Sequence, residues 1–386
     1  MESVDPTAAN TTRAAPTRRL GLVLSVGAVG VAALLAAATD IRISGHWQGM
    51  FLLRGKEGLP LVVQDDVFLG DGSRLVAGFS FSRVRQVLAS GAPRQGRAWL
   101  ELDWDDADGS GLVRNHLAEG TELVTDFSRY DDDEGKNPQG LFVGGALADV
   151  AAGDKQDESG MSFHDARGWH HVWCNVNELL MDLDSRRRWS PGSWTYLGAR
   201  VLIRDPDRVV IESSHAIPVL GGALRVDRFA YFAAGKPWFK LGIRVVNTGD
   251  RPVRYAYAYG DEPWVGHFGS SAGNVGWVRD GIIRVEGLID ARANRWAGIL
   301  DEESGIADFI AWVGEVMPDR VYFANQPGSR FERLGQPLDS NAVFVGLEWL
   351  DQVLRPGEQR SYLISLGLAR PDASGIPVLP EGAGPP

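Results

Sequence analysis

The sequence contains very little cysteine. Its 386 residues include only one, Cys174, so the chain can form neither an internal disulfide nor a cysteine-based metal cluster. A chain this poor in cysteine is compatible with a reducing or an oxidising compartment. Cys174 lies in "HHVWCNVN", between apolar and aromatic residues. That context is typical of a small packed side chain rather than of a nucleophile.

Positive charge is also scarce. The chain has 39 Lys and Arg residues against 50 Asp and Glu residues, which gives a net charge of −11. No basic stripe is present to bind phosphates, so nucleic acid is excluded as an expected partner. The sequence also lacks a glycine-rich phosphate loop that opens a helix, an HExxH motif and a GxSxG elbow. It therefore predicts no bound cofactor.

Long apolar runs are absent after Asp40, but one precedes it. Residues 20–38 carry no charge and follow Arg18 and Arg19, a pattern typical of an export signal or a membrane anchor. The run is nearly as long as the roughly 20 residues needed to span a bilayer, whereas "AAA" at 36–38 offers small residues for cleavage. We expect a signal peptide or anchor helix within residues 1–39. The rest would then be exported to the periplasm or the cell exterior, with membrane contact only through this segment.

Strand patterns fill the body of the chain. The turn "DPD" separates "SWTYLGARVLIRD" from "RVVIESSHAI", and "AGK" separates "ALRVDRFAYFA" from "PWFKLGIRVVN". Asp280-Gly281 separates two further runs. "IRVVN" and "VRYAYAY" flank "TGDRP". Successive hairpins of this length predict an all-β domain over residues 40–372, built as a large antiparallel β-sandwich with few short helices. Residues 174–189 are compatible with a helix or a long loop, and the Pro/Gly-rich residues 373–386 with a flexible tail.

Acidic residues interrupt two of these strand patterns. Glu348 lies in "AVFVGLEW", where a half-buried carboxylate is costly unless it is paired or functional. Asp261 and Glu262 follow the alternating run "VRYAYAY", and His267 comes five residues later. Chemistry at a sugar's anomeric carbon needs a proton donor and an acceptor. Two carboxylates whose pKa values differ can supply both, as in glycoside hydrolysis.

The order of "GLEW" and "LRPGEQRSYLISLGLA" resembles the aldose 1-epimerases and the wider galactose-mutarotase-like proteins. In that family a late strand presents a Glu, and an "LxPGE" loop and a closing strand follow. "VVNTGDRPVRYAYAYGDEPW" resembles the family's middle segment, where a hairpin leads into a strand that ends in a catalytic histidine. The resemblance covers roughly residues 195–370. It implies the family's β-supersandwich and identifies Glu348 as the base that takes the proton of the anomeric hydroxyl.

The chain departs from the family pattern at the acid. Asp261 and Glu262 stand where the family has its histidine, and His267 follows them. His215, in "SSHAI", is the nearest candidate for a second family histidine. This departure makes simple mutarotation less expected than work on larger glycans.

Further residues are candidates for binding a sugar. Aromatic faces stack on the apolar faces of sugars, and three of the 13 tryptophans lie beside the candidate catalytic residues: Trp264, Trp277 and Trp349. Arg114 and Asn115, in "LVRNHL", could bind hydroxyl groups. The sequence thus predicts a sugar or polysaccharide substrate and an enzyme resembling a glycosidase or an aldose epimerase.

Three alternatives stay open. The protein could be a non-catalytic glycan-binding or envelope-assembly module that uses the same cleft. It could be a serine hydrolase that pairs Ser270 or Ser271 with His267. A metal-dependent hydrolase would require His164, His170 and His171 to converge, which adjacent histidines on an extended strand suit poorly, so no metal site is predicted.

Overall fold

A computed structural model describes residues 41–45, 75–79, 98–106, 109–117, 120–132, 135–141, 160–174, 178–189, 193–220, 222–266, 270–325, 335–338 and 343–385. The predicted export or anchor segment 20–38 and His267 lie outside the described residues. Within the described ranges, no helix is long and apolar enough to cross a membrane.

The described part of the chain folds as β-strands. In chain order they are β1 (Ile41–Gly45), β2 (Leu75–Phe79), β3 (Trp99–Asp105), β4 (Ser110–His116), β5 (Glu122–Asp132), β6 (Gly135–Leu141), β7 (Gly160–Asp165), β8 (Gly168–Cys174), β9 (Leu179–Asp182), β10 (Arg188–Trp189), β11 (Thr195–Arg204), β12 (Arg208–Val219), β13 (Gly222–Ala233), β14 (Trp238–Asn247), β15 (Val253–Asp261), β16 (Asn274–Val278), β17 (Gly281–Ile283), β18 (Gly287–Ile289), β19 (Trp296–Asp301), β20 (Ile306–Trp312), β21 (Arg320–Ala324), β22 (Phe344–Leu354), β23 (Gln359–Pro371) and β24 (Pro377–Val378).

Three antiparallel sheets contain most of these strands. The large sheet has the order β11-β12-β13-β14-β23-β20-β19-β16-β17, with β24 beside β23. The opposing sheet has the order β10-β9-β15-β22-β21-β18, and the third sheet has the order β3-β4-β5-β7-β8, with β6 beside β5. β1 and β2 form a separate pair. No α-helix occurs among the described residues, so the helix considered for residues 174–189 is wrong: β9 and β10 lie there.

The predicted hairpins are confirmed where a short turn joins strands of one sheet. The "DPD" turn joins β11 to β12, "AGK" joins β13 to β14, and Asp280-Gly281 joins β16 to β17. "TGDRP" does not join two strands of one sheet. It leads from β14 in the large sheet to β15 in the opposing sheet, and "RPGE" leads back from β22 to β23.

These two crossings meet at one buried amide. The Nδ2 of Asn247 donates to the carbonyl oxygens of Arg251 at 2.7 Å and of Leu354 at 3.0 Å. The backbone NH of Gly357, in the other crossing, donates to the carbonyl of Asn247 at 2.9 Å. A tight turn therefore bridges two sheets here because a single side chain hydrogen-bonds to both connections.

One main core holds the sheets together. Its buried side chains come from the inner faces of all three sheets. Tyr257 of the opposing sheet stacks on Tyr362 of the large sheet with ring centroids 5.3 Å apart. Phe127 of the third sheet meets Phe232 of the large sheet edge-on at 6.0 Å. The outer face of the opposing sheet lies apart from this core and carries a small buried cluster of its own: Tyr322, Ala324 and Phe344.

The carboxyl-terminal residues, predicted as a flexible tail, pack against the outer side of the large sheet. β24 pairs with Arg370 and Pro371, and Ala383 is fully buried in a second apolar cluster with Trp238. A sequence rich in Pro and Gly shows no regular pattern of apolar residues, so the local sequence did not predict this contact.

Candidate functional site

Strand alternation places Glu348 on the outer face of the opposing sheet. Val345, Leu347 and Trp349 of β22 are buried in the main core, and successive side chains of a strand point to opposite faces. Glu348 therefore points away from that core. Its side chain is 14% exposed, so it is partly shielded but still reachable from solvent.

The residues beside Glu348 form a row across the sheet. Ladder pairing sets Leu179 of β9 against Ala258 of β15, Ala258 against Glu348, and Glu348 against Arg320 of β21. Nη1 of Arg320 lies 3.7 Å from Oε2 of Glu348, and the arginine side chain is 35% exposed. Ala258, on the other side of Glu348, is a small residue of intermediate burial.

The adjacent row on the same face is Gly260, Gly346 and Tyr322. The ring of Tyr322 lies over Gly346 so closely that a Cβ there would come within 2.3 Å of Cζ and 2.4 Å of the hydroxyl. Gly346 precedes Glu348 by two residues, so the Tyr322 hydroxyl and the Glu348 carboxylate belong to neighbouring rows of one surface. We call Glu348, Arg320, Tyr322, Ala258 and Gly346 the outer-face site.

Sequence reasoning named Glu348 but missed Arg320 and Tyr322. In "RVYFA" the alternation puts both on one face of a strand. Which strand lies beside β21 depends on pairing between segments about 25 residues apart, and no local pattern encodes it.

The predicted acidic doublet is not adjacent to Glu348. Asp261 pairs with Val345 at the end of β15, three residues along the ladder from the pair of Ala258 and Glu348, which is about 10 Å along the strand. Glu262 follows one residue later, is buried and accepts a hydrogen bond from Nε1 of Trp264 at 2.8 Å. The register therefore separates the doublet from the carboxylate with which it was expected to act.

Hydrogen bonds to neighbouring segments fix the residues that follow β15. Trp264 is half-buried and has a positive φ of 47°. Asn274 clamps the next residue, accepting from the NH of Val265 and donating to its carbonyl, each at 3.0 Å. Nδ1 of His171 lies 2.9 Å from the carbonyl oxygen of Pro263.

Two of the predicted sugar-stacking tryptophans lie inside the protein. Trp277 is fully buried and donates from Nε1 to the carbonyl of Asp308 at 2.9 Å. Trp349 is buried and donates from Nε1 to the carbonyl of Val316 at 3.2 Å. Neither indole ring faces solvent, and the N–H group of each has a hydrogen-bond acceptor inside the protein.

Arg114 and Asn115 lie in the third sheet. Nδ2 of Asn115 donates to the carbonyls of Ala233 at 3.0 Å and Lys236 at 2.7 Å, and Oδ1 accepts from the NH of Gly235 at 3.0 Å. The amide thus clamps the turn between β13 and β14. Nη1 of Arg114 lies 3.8 Å from Glu122.

The predicted candidate His215 belongs to a group of polar side chains between the large and opposing sheets. Arg228 forms a buried ion pair with Glu178, and the hydroxyl of Tyr257 donates to the same carboxylate. Nδ1 of His215 lies 3.3 Å from Nη1 of Arg228. We call Glu178, Arg228, Tyr257 and His215 the interior polar cluster. Burial, and then the charge of Arg228, lower the pKa of His215 to about 2, so its imidazole is neutral.

The histidines considered for a metal do not converge. Nε2 of His170 lies 3.0 Å from Asp165, whereas His171 faces Pro263 and His164 packs against Trp169. In the part of the chain that the structure describes, no group of three or more His, Cys, Asp or Glu residues could hold a metal ion.

Comparison with known proteins gives matches only among solved structures. No protein-family model and no curated protein sequence matches the chain. A galactose mutarotase-like protein from Clostridium acetobutylicum matches at 10% identity over 71% of this chain and 99% of its own, with a TM-score of 0.39. A candidate aldose 1-epimerase from Klebsiella pneumoniae subsp. pneumoniae matches at 11% identity over 74% and 91%, with a TM-score of 0.40.

A third match is the galactosidase domain of an α-galactosidase-sucrose kinase, at 9% identity over 70% of this chain and 42% of that one, with a TM-score of 0.39. Two of the three proteins carry names of the class that the sequence resembles. Their TM-scores lie below 0.5, so conclusions about chemistry depend on the residues of this chain alone.

Proposed function

We propose that the protein is a carbohydrate-active enzyme that uses the outer-face site, with Glu348 as the proton acceptor at a sugar's anomeric centre. The observation that carries this proposal is the position of Glu348. It is a partly shielded carboxylate on a sheet face outside the core, 3.7 Å from Arg320 and beside the small residue Ala258. A carboxylate in that setting has both access and an electrostatic partner.

The neighbouring groups suit transfer of protons. Nη1 of Arg320 lies 3.7 Å from Oε2 of Glu348, the carboxylate that would accept the proton. Glu348 would take the proton of the anomeric hydroxyl as the bond between C1 and the ring oxygen breaks. The ring oxygen would take up a proton in the same step, and we assign that donation to the Tyr322 hydroxyl, in the row next to Glu348 on the same face. Closure of the open-chain aldehyde from its other face then gives the second anomer.

Proton transfer by one carboxylate fits the register better than glycoside cleavage by two. Cleavage of the usual kind needs carboxyl groups about 5–9.5 Å apart on either side of the bond. Asp261 is three ladder positions from Glu348, and Glu262 lies beyond it, turned towards Trp264. We therefore place epimerase-like chemistry ahead of cleavage in the proposal.

A non-catalytic glycan-binding role is the second candidate. The observation that favours it is the interior position of His215, since the histidine that the resemblance suggested is then unavailable as a catalytic group. Sugar recognition by the outer-face site alone would need only its polar groups.

Substitution of Glu348 by Gln tests the proposal. We expect mutarotation of freshly dissolved α-D-galactose and α-D-glucose, followed by polarimetry, to slow by about 10²–10⁴-fold. Glu303→Gln is the matched control, because Glu303 is an exposed acid in the turn after β19. Sugar binding by calorimetry without turnover in the unaltered protein would favour the binding role. Equal rates for Glu348→Gln and the unaltered enzyme would refute Glu348 as the base.

We also propose that the domain works outside the cytoplasm. Support comes from the uncharged residues 20–38 and the preceding Arg18 and Arg19. Fusion of residues 1–40 to an alkaline phosphatase that is active only after export should give activity. Replacement of Leu24, Val29 and Leu34 by Glu should abolish that activity, and a fusion that stays inactive would argue against export.

A further inference from the structure

β22 is irregular directly after Glu348. On its ladder with β15, Trp349 lies opposite Tyr257, and Gln352 lies opposite Tyr255. One residue therefore separates the two pairs on β15, whereas two residues separate them on β22. This arrangement is a β-bulge, in which the extra residue bends its strand and changes the direction of neighbouring side chains.

The bulge decides which side chains of β22 face outwards. Trp349 and Leu354 are both buried in the main core, although they are five residues apart. In a regular strand an odd separation places two side chains on opposite faces. The extra residue restores the alternation, so that both can be buried while Glu348 faces outwards. Without the bulge, burial of Leu354 would turn Trp349 outwards and Glu348 into the core.

Side chains from three strands or their ends hold the two residues of the bulge. The NH of Leu350 donates to Oδ2 of Asp319 at 2.6 Å, and its carbonyl oxygen accepts from Nε2 of Gln352 at 2.7 Å. Asp351 has a positive φ of 49°, which regular strands do not adopt. Its carboxylate accepts from Nη2 of Arg254 at 2.6 Å.

The segment just before β21 also contacts the residues on the other side of the bulge. The NH of Asp319 donates to the carbonyl oxygen of Glu348 at 2.8 Å. The indole N–H of Trp349 donates to the carbonyl oxygen of Val316 at 3.2 Å. Arg320, which follows Asp319 in the chain, is the residue that lies 3.7 Å from the Glu348 carboxylate. Asp319 therefore connects the backbone of Glu348 to that of its charge partner.

We propose that Asp319 is a positioning residue for Glu348. It holds the bulge of β22 against the start of β21, and it thereby keeps the Glu348 carboxylate on the outer face beside Arg320. Asp319 acts through the backbone of β22 and not on the sugar. The part of this inference that concerns activity rests on the proposed function of the outer-face site.

Kinetics of Asp319 variants test the effect on activity. Asp319→Ala removes the acceptor for the NH of Leu350, and a displacement of about 1 Å in a reacting group can cost about 10²-fold. We therefore expect kcat for mutarotation of α-D-galactose to fall by about 10²-fold, with little change in KM. Asp319→Asn keeps an oxygen that can accept the same hydrogen bond, so it should retain most of kcat.

Asp372→Ala is the matched control. Asp372 is an exposed aspartate after β23 whose carboxylate accepts from the NH of Ser374 at 2.7 Å, and its substitution should leave kcat unchanged. An Asp319→Asn variant as slow as Asp319→Ala would overturn the role of the hydrogen bond. Equal kcat for Asp319→Ala and the unaltered enzyme would overturn the positioning role.

A crystal structure of the full-length Asp319→Ala variant beside that of the unaltered protein tests the position without reference to activity. We expect the Glu348 carboxylate to lie about 1 Å or more further from Arg320 in the variant. An unmoved carboxylate would overturn the proposal, even if the variant is slower. A displaced carboxylate would support it even if Glu348→Gln does not change the rate, a result that refutes only the proposed function.

Discussion

At the scale of single residues, Asp308 stands out as a carboxyl group inside the core. It is fully buried on β20, and one carboxyl oxygen accepts from the backbone NH of Ile299. Its Oδ2 has no hydrogen-bond partner. Burial raises the pKa of Asp308 well above the ordinary value, so the folded protein holds this group protonated.

The raised pKa of Asp308 predicts a pH-dependent cost. Below the ordinary aspartate pKa, both the folded and the unfolded state hold the proton. The group then makes no pH-dependent contribution to the free energy of unfolding. As the pH rises above that value the unfolded state releases its proton while the folded state keeps it. The free energy of unfolding then falls by up to about 1.4 kcal/mol per pH unit from this group.

Asp308→Asn should remove this dependence, since an amide keeps an acceptor for Ile299 and does not ionise. We expect the variant to gain stability over the unaltered protein between pH 4 and 7, with little difference near pH 3. Urea unfolding across this range measures the effect. Asp103→Asn serves as control, because Asp103 is an exposed aspartate on β3. A constant difference at all pH values would contradict the assignment.

At the scale of elements, the outer-face site depends on the close approach of β21 and β22. Gly346 has no side chain, and the Tyr322 ring uses that space. A hairpin turn does not fix this contact, because β21 and β22 are separated along the chain by residues 325–343. The pairing register alone decides which residue lies under the ring.

Gly346→Ala should therefore displace Tyr322. The added methyl group would meet the ring at 2.3 Å, and overpacking of this kind costs about 1–3 kcal/mol. Tyr322→Ala in the same chain should recover much of that loss, because it empties the space. Denaturant unfolding of both single variants and of the double variant measures the coupling. Strictly additive losses would show that the ring and Gly346 do not compete for space.

Local patterns predicted several elements and missed others. The hairpins at "DPD", "AGK" and Asp280-Gly281 followed from turn chemistry and alternation, which act within about ten residues. The helix considered for 174–189 failed because β9 pairs with β15, a contact with a strand more than 70 residues away. Tertiary pairing overrides a weak local preference in such a segment.

At the scale of the whole molecule, the ion pair between Glu178 and Arg228 links the opposing sheet to the large sheet. Glu178 immediately precedes β9 of the opposing sheet, and Arg228 belongs to β13 of the large sheet. Both side chains are buried. Tyr257, next to Ala258 of the outer-face site, donates to the same carboxylate. The ion pair therefore holds the opposing sheet on its inner face, on the side opposite to the outer-face site.

Arg228→Met should leave Glu178 buried without its charge partner. Breaking a buried ion pair on one side costs about 3–5 kcal/mol, and we expect a loss of that size in the free energy of unfolding. The double variant Arg228→Met with Glu178→Leu should recover most of it, since both charges are then gone. Guanidinium unfolding provides the measurement. A double variant as unstable as the sum of the two single variants would show that the pair is not coupled.

The sequence by itself determined the β-rich fold, three of the hairpins and the place of Glu348 within an apolar strand, because turn residues and strand alternation are local properties of the chain. Only the tertiary structure decided that Arg320 and Tyr322 accompany Glu348, that the acidic doublet lies further along the ladder, and that Trp277 and Trp349 are inside. It also decided that Glu178 meets Arg228. These outcomes depend on register between strands that are distant in sequence, where a shift of one residue reverses every side chain. No short stretch of sequence contains that register.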